Sequence, residues 1–325
     1  MAPSNSSGSL LGSVLVTGGS GFVASHLIIQ LLEAVVEGKL SFFVADLEKN
    51  EGWSKAVQGC DWVQHVASPF PTKQSENEDD LIRPAKEGTI RVLTAARDAG
   101  VKRVVLTSSF AAIGYGYERP PLFTEDNWSI IDGSVPVPAY HKSKTIAEKA
   151  AWDFIKRDGK GLELTVINPT GIFGPVLGSK FSASIGIVKG LMSGQMSGCP
   201  QISFGVVDVR DLAALHISAM TNSSAGGHRF IATSDNGPAS LISIANIIRN
   251  NRPEMAQKVP SKQLPNFLVR IVALFRSDLR GMVPELGVVK KINNEKAKTM
   301  LNWKPRSIEE CIIDTVDSLV KFGIV

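Results

Sequence analysis

The first half of the chain alternates between short apolar runs and longer segments whose apolar residues return every three to four positions. "SVLVTG" (13–18) is β-rich and ends in glycine, and "FVASHLIIQLLEAV" (22–35) has apolar residues at helical spacing. "SFFVAD" (41–46) reads as a strand, "NEGWSKAVQG" (50–59) as a short helix and "DWVQHVA" (61–67) as a strand. "DDLIRPAKEGTIRVLTAARDAG" (79–100) is a long helix ending on Gly100, in which Pro84 should cause a kink or a restart. "VKRVVLTSS" (101–109), "PAYHKSKTIAEKAAWDFIKRDG" (138–159) and "LELTVINPTG" (162–171) follow as strand, helix and strand. This alternation predicts an α/β fold with a doubly wound parallel sheet.

The texture changes after Pro169. Loops rich in Gly, Ser and Pro (171–205) surround one short helix near 181–193, and "FGVVDVRDLAALHISAM" (204–220) returns to strand and helix. Further helices are expected near 241–251, 263–276, 294–301 and 307–322. The expected division is discontinuous: a sheet domain over 10–168 and 205–235, and a smaller, largely C-terminal domain over 169–204 and 236–322.

Composition narrows the function classes. Of 325 residues, 43% are apolar and 20% charged, which suits a soluble globular protein. The net charge of +4 is spread over both signs without a basic stripe, so neither a nucleic acid nor a membrane is expected as partner. "SENEDD" (75–80) reads as a solvated loop and "MAPSNSSGS" (1–9) as a frayed tail. Cys60, Cys199 and Cys311 lie far apart, and the five histidines lack ligand spacing, so no disulfide framework and no metal site follow. A cytoplasmic monomer or homodimer is the expectation.

Three features carry chemistry. "TGGSGFVA" sets Gly18, Gly21 and Ala24 in a G-x-x-G-x-x-A spacing between strand and helix, where a tight turn aims a helix N-terminus at a pyrophosphate. Tyr140 and Lys144 in "YHKSK" share one helix face, and a nearby ammonium is expected to bring the phenol pKa down so that the pair can exchange a proton with a carbonyl or alcohol oxygen. "VVLTSSFAAIG" delivers Ser108 and Ser109 at the C-terminal end of a strand, where open α/β sheets bind ligands. Trp152 and Phe154 read as packing, Arg210 as a structural ion pair, "LNWKPRS" (301–307) as the segment that docks the last helices, and His65 and His141 as neighbours of the site without a catalytic partner.

Taken in this order, the features resemble the extended short-chain dehydrogenase/reductase superfamily. "VTGGSGFVASH", "DWVQHVASPFP", "VVLTSSFAAIGYG", "YHKSKTIAEKAAWDF", "NPTGIFGP", "VVDVRDLAALH" and "LNWKPRSIEECIIDT" are similar to its dihydroflavonol-reductase-like branch, over about residues 13–320. The resemblance implies a Rossmann sheet and NADPH-dependent reduction of a small aldehyde or ketone. It makes Ser109, Tyr140 and Lys144 the catalytic triad, with Tyr140 the proton donor. It assigns Gly18, Gly21 and Phe22 to the pyrophosphate turn, Asp46 and Leu47 to the adenine, and Val66, Ala67 and Ser68 to the ribose. Tyr140, Lys144 and the loop with Pro169, Thr170 and Ile172 then lie along the nicotinamide and its ribose. A sugar-nucleotide epimerase or a hydroxysteroid-type dehydrogenase is the alternative on the same fold.

One segment departs from that pattern. Spacing alone puts Asp46 25 residues after Gly21, near where an acidic residue would hold the ribose of NAD. By the resemblance, however, 39–69 matches the third strand onward, and relatives carry a second strand with a basic tip, and a helix, before it. "EAVVEGK" (33–39) is too short to hold them. "SFFVAD" then either slides beside the first strand, keeps its family position, or belongs to a defunct protein that binds nucleotide without turnover. NADP is the implied cofactor, and NAD becomes possible because the strand that would grip the 2′-phosphate is missing.

Overall fold

The computed structural model describes residues 12–35, 38–69 and 77–325. The expected N-terminal tail and the first part of the acidic loop lie outside the described residues. The strands are β1 (Val14–Val16), β2 (Trp62–His65), β3 (Arg103–Thr107), β4 (Glu163–Pro169), β5 (Gly171–Phe173), β6 (Ser203–Phe204), β7 (Val206–Asp208), β8 (Arg229–Ala232) and β9 (Ala239–Ser240). The helices are α1 (Phe22–Glu33), α2 (Trp53–Val57), α3 (Asp79–Asp98), α4 (Ala139–Asp158), α5 (Ala183–Met192), α6 (Val209–Thr221), α7 (Leu241–Asn251), α8 (Asn266–Phe275), α9 (Ser277–Arg280), α10 (Glu295–Leu301) and α11 (Ile308–Lys321).

Five strands form one parallel sheet in the order β1-β2-β3-β4-β8, with Val14 opposite Trp62, Trp62 opposite Arg103, and Arg103 opposite Glu163. Side chains alternate across it. Val63, Val104 and Leu164 turn to the face covered by α3 and α4, where Val92, Leu93 and Phe154 pack. Val105 and Ile167 turn to the other face, with Leu212 and Leu215 of α6. A third apolar cluster joins α5, α7 and α11 around Phe173, Ile185 and Ile312. Two small pairs, β5 with β7 and β6 with β9, lie outside the main sheet.

The segment "SFFVAD" corrects an expectation. Residues 41–46 form no strand, and among the described residues β1 pairs with β2 alone. No backbone hydrogen bond links the described residues of 38–46 to β1. Sliding beside β1 is therefore not what the chain does. The segment is tethered elsewhere: the indole of Trp53 donates to the carbonyl of Asp46 at 2.9 Å, and Leu47 lies against Gly88 of α3. Extended residues with no neighbouring ladder keep their side chains in water, and Phe42 is 86% and Val44 97% exposed. On α1, Ile29 and Leu32 are exposed as well. All three residues of β1 are only half-buried, whereas Arg103–Leu106 of β3 are buried throughout, as befits an edge against a centre.

Pro84 also differs from expectation, since α3 runs through it without a break. It is the sixth helical residue, so the one bond it forfeits is to the carbonyl of Asp80, an exposed first-turn residue that water can serve.

Candidate active site

Parallel register brings the C-terminal ends of β1 to β4 to one edge of the sheet, and the candidate residues gather there. Thr17, just past β1, ties two of these ends together. Its buried hydroxyl accepts from the backbone N–H groups of Val66 at 3.1 Å and Ala67 at 2.9 Å, and pairs with His65 Nδ1 at 3.0 Å. Gly18 follows at φ +71°, and a Cβ there would sit 3.1 Å from the backbone of Ala67. Both the left-handed backbone and the close approach demand glycine. Gly21 closes the turn by donating to the Gly18 carbonyl at 2.8 Å and then stands as the N-cap of α1 without a side-chain cap. The first-turn N–H groups of α1 are thus left for an anion. Phe22 contributes only its backbone to this turn, because its ring is buried against His26 and the cluster around Phe173.

Ser109 leaves β3 as the N-cap of a 3₁₀ turn, accepting from the Ala111 N–H at 3.1 Å, and its side chain also hydrogen-bonds Tyr140. Tyr140 and Lys144 are one turn apart on α4, with the ammonium 5.9 Å from the Tyr140 ring centre. Lys144 Nζ donates to the Ser68 hydroxyl at 2.8 Å. Ser109, Tyr140, Lys144 and Ser68 therefore form one connected group, drawn from β3, α4 and the end of β2. A cleft beside them is lined by Leu47, Ala67, Ser68, Ser108 and Lys144, so Leu47 joins the site. Asp46 stands next to it, its carboxylate accepting from the Glu48 N–H at 3.0 Å and facing Lys49 at 3.9 Å. Pro169 ends β4, Thr170 donates its N–H to the Ala232 carbonyl at 3.0 Å, and Ile172 pairs with Val207 in the small β5–β7 sheet.

Burial sets the electrostatics. It lowers the Lys144 pKa to about 8, against a smaller opposite pull from the Glu148 carboxylate. It raises the pKa of Tyr140, with the Ser109 hydrogen bond pulling it back in part. The expected lowering by the ammonium is therefore not what governs Tyr140 in this state, and the phenol is firmly protonated at neutral pH. Burial also brings His65 to about 3 and His141 to about 4, so both are neutral.

Several residues of this environment escaped the sequence reading. Glu148, one turn beyond Lys144, is 1% exposed. It accepts from Ser108 at 2.5 Å, Asn168 at 2.7 Å and Arg229 at 2.6 Å, and from Trp152 at 3.4 Å. Its i+4 spacing from Lys144 is the signal that could have found it. Tyr115, Lys290 and Glu285 come from distant segments: the Lys290 ammonium sits 4.1 Å from the Tyr115 ring centre and pairs with Glu285, while the Tyr115 and His141 rings meet tilted at 46° with centres 3.8 Å apart. No linear signal joins them. The bland readings elsewhere fit the contacts: Arg210 is fixed between Asp208 at 2.7 Å and Asp314 at 2.6 Å, and Trp303 donates to the Asp211 carbonyl at 2.8 Å. Among the described residues no cluster of metal-ligating groups occurs.

A glycine turn opening a helix at the end of a parallel sheet, next to a linked Ser–Tyr–Lys group, defines a dinucleotide-binding protein of the Rossmann class. Residues 14–232 match the NAD dependent epimerase/dehydratase family, and the chain belongs to that family. It is 33% identical to cinnamoyl-CoA reductase CAD2 of Medicago truncatula, over 96% of this chain and 97% of that protein. It is 31% identical to ketoreductase azaE of Aspergillus niger, over 97% of this chain and 99% of that protein. Among solved structures, the yeast methylglyoxal/isovaleraldehyde reductase Gre2 complexed with NADPH superposes with a TM-score of 0.78 at 27% identity, covering 96% of this chain and 99% of that one. The alignment with azaE spans 354 positions, so at least 29 of them face no residue of this 325-residue chain.

Proposed function

We propose that the protein is an NADPH-dependent reductase of small aldehydes or ketones, in which Tyr140 gives the proton. The observation that carries the reading is the connected group Ser109–Tyr140 with Lys144–Ser68 at the C-terminal edge of the sheet. The residues present fit the cofactor. Gly18 leaves its backbone bare against Ala67, the uncapped start of α1 offers N–H groups to a pyrophosphate, and Lys144 offers a charged donor to a ribose. NADPH, when bound, supplies the hydride. The chain supplies the rest: Tyr140 holds its proton on the phenol oxygen, Ser109 orients that hydroxyl, and Lys144 steadies the phenolate left after the proton is given. The relatives named above support the class of reaction.

We take the 29 or more unmatched positions and the outermost place of β1 to reflect one loss, that of the family's second strand and its basic tip. That loss favours a second reading, a protein that binds nucleotide without turnover. One experiment separates the two. NADPH consumption is followed with a panel of aldehydes and ketones, alongside Tyr140→Phe and a tryptophan-fluorescence titration of cofactor. A reductase shows turnover that falls by about 10² or more in Tyr140→Phe while cofactor binding survives. Binding without turnover in the unaltered protein selects the second reading.

A further inference from the structure

Among the described residues, α8 leaves a run of large apolar side chains uncovered. On α8 only Val269 and Ala273, four residues apart, are buried. Phe267, Leu268, Ile271, Val272, Leu274 and Phe275 all face solvent, with Leu274 69% and Phe275 83% exposed. A soluble domain rarely leaves six large apolar side chains on one helix uncovered.

The charge around the helix says what covers it. Residues 258–291 hold seven Lys and Arg against two Asp and Glu, a surplus of five, while the whole chain carries +4. Everything outside this stretch is therefore net negative by one. Glu285, one of the two acids, is already paired with Lys290. Lys258, Lys262, Arg270, Arg276, Arg280 and Lys291 are all exposed. Arg280 folds back to donate to the carbonyls of Ala273 at 3.2 Å and Leu274 at 3.1 Å, which fixes a cation at the C-terminal end of α8. The sequence showed no basic stripe because these residues are separated by apolar ones; Arg270 lies on α8 itself, Lys262 precedes it, and Arg276 and Arg280 follow it directly.

We propose that α8 and its basic rim dock the protein on an anionic lipid surface. Ten residues of helix, about 15 Å, are half the thickness of a bilayer core, and no helix of the described residues is long and apolar enough to cross a membrane. The helix lies in the interface plane, its apolar side chains among acyl chains and its cations among headgroups. A second copy of the chain is the poorer occupant, because a two-fold contact through this patch would press one cationic rim against the other. This departs from the expectation of no membrane partner drawn from net charge.

The test is co-sedimentation of the full chain with phosphatidylcholine vesicles and with vesicles containing phosphatidylserine. Binding is expected only to the second kind, and weaker as salt rises. Arg270→Glu with Lys262→Glu should weaken it by at least roughly 25-fold, at about fivefold for each cation lost. Leu274→Ser with Phe275→Ser should abolish it. These side chains are exposed, so an unchanged circular dichroism spectrum and melting curve are the control for folding. No binding to the serine-containing vesicles, equal binding to both kinds, or a dimer in gel filtration that Leu274→Ser with Phe275→Ser dissolves would each overturn the proposal.

Discussion

The two flanks of the sheet are built to different standards. Around α4, the Glu148 carboxylate gathers donors from β3, β4, α4 and β8, and that knot lies directly beneath Lys144 and Ser109. Among the described residues the ladder at β1 stops after one neighbour, the strand is half-buried, and the chain beyond α1 passes through 38–46 without joining the sheet. On the proposed function, the difference teaches that proton chemistry and nucleotide grip are separable in this fold. The first would draw on the polar network in the middle of the sheet, in which Asn168 Oδ1 and Arg229 Nη2 have no hydrogen-bond partner, and the second on strands at its margin.

The knot is where disruption should cost most. Glu148→Ala would leave Arg229, only 7% exposed, without its charge partner. The expected loss is about 3–5 kcal/mol of stability, read from denaturant unfolding. A loss below 1 kcal/mol would mean that water or a rearranged partner serves Arg229, and the contrast between the flanks would shrink.

The margin can be repaired rather than broken. Grafting a relative's strand and helix between Glu33 and Ala34 should cover Ile29 and Leu32 and give β1 a second neighbour. An increase of about 2 kcal/mol, or roughly 5 °C in melting temperature, is expected without ligand. Equal melting temperatures would show that the shortened margin is already satisfied.

Lys144 links the two flanks through pH. Burial lowers its pKa to about 8, below its ordinary 10.5. Between these values the folded chain has shed a proton that the unfolded chain keeps, so the apoprotein gains stability as pH rises through the window. On the proposed role of Lys144, cofactor affinity runs the other way, because the ammonium is the form that would donate to the ribose. It should fall by about tenfold from pH 7 to pH 9 as Lys144 loses its charge. Lys144→Met should flatten both curves, and a melting curve with unchanged pH dependence in that variant would assign the titration elsewhere.

The smallest effect expected is in cofactor choice. Asp46 presents a carboxylate beside Leu47, and the exposed Lys49 ammonium lies 3.9 Å from that carboxylate. The preference for NADPH over NADH should therefore be less than about tenfold, or 1.4 kcal/mol, by fluorescence titration. A hundredfold preference would mean that a cation reaches the 2′-phosphate, and Arg91, which donates to the carbonyl of Leu47 and to Asn50 at 2.5 Å, is the one to replace.

Much of the candidate site was legible in advance because its signals are local. The G-x-x-G-x-x-A turn and the Tyr140–Lys144 spacing each sit within one strand–helix junction or one helical turn, so short-range geometry suffices. "SFFVAD" misled for the converse reason. Its β propensity is real, but a strand exists only where a neighbour completes the ladder, and local composition does not reveal a missing neighbour. Tyr115, Lys290 and the Glu148–Arg229 pair were invisible as a group because chain folding, not spacing, brings them together.

The brevity of β1 has a consequence for how the protein behaves at high concentration. A free sheet margin is a template on which another chain can add a strand, and long, flat, apolar margins seed aggregates. Val14–Val16 offers only three residues of template, too little to hold a foreign strand in register. The stickier stretch is "LSFFV" at 40–44, and it is bracketed by Lys39 and Asp46, charges that act as gatekeepers against stacking. Replacing those two charges would be the quickest way to turn a tolerated gap into a precipitate.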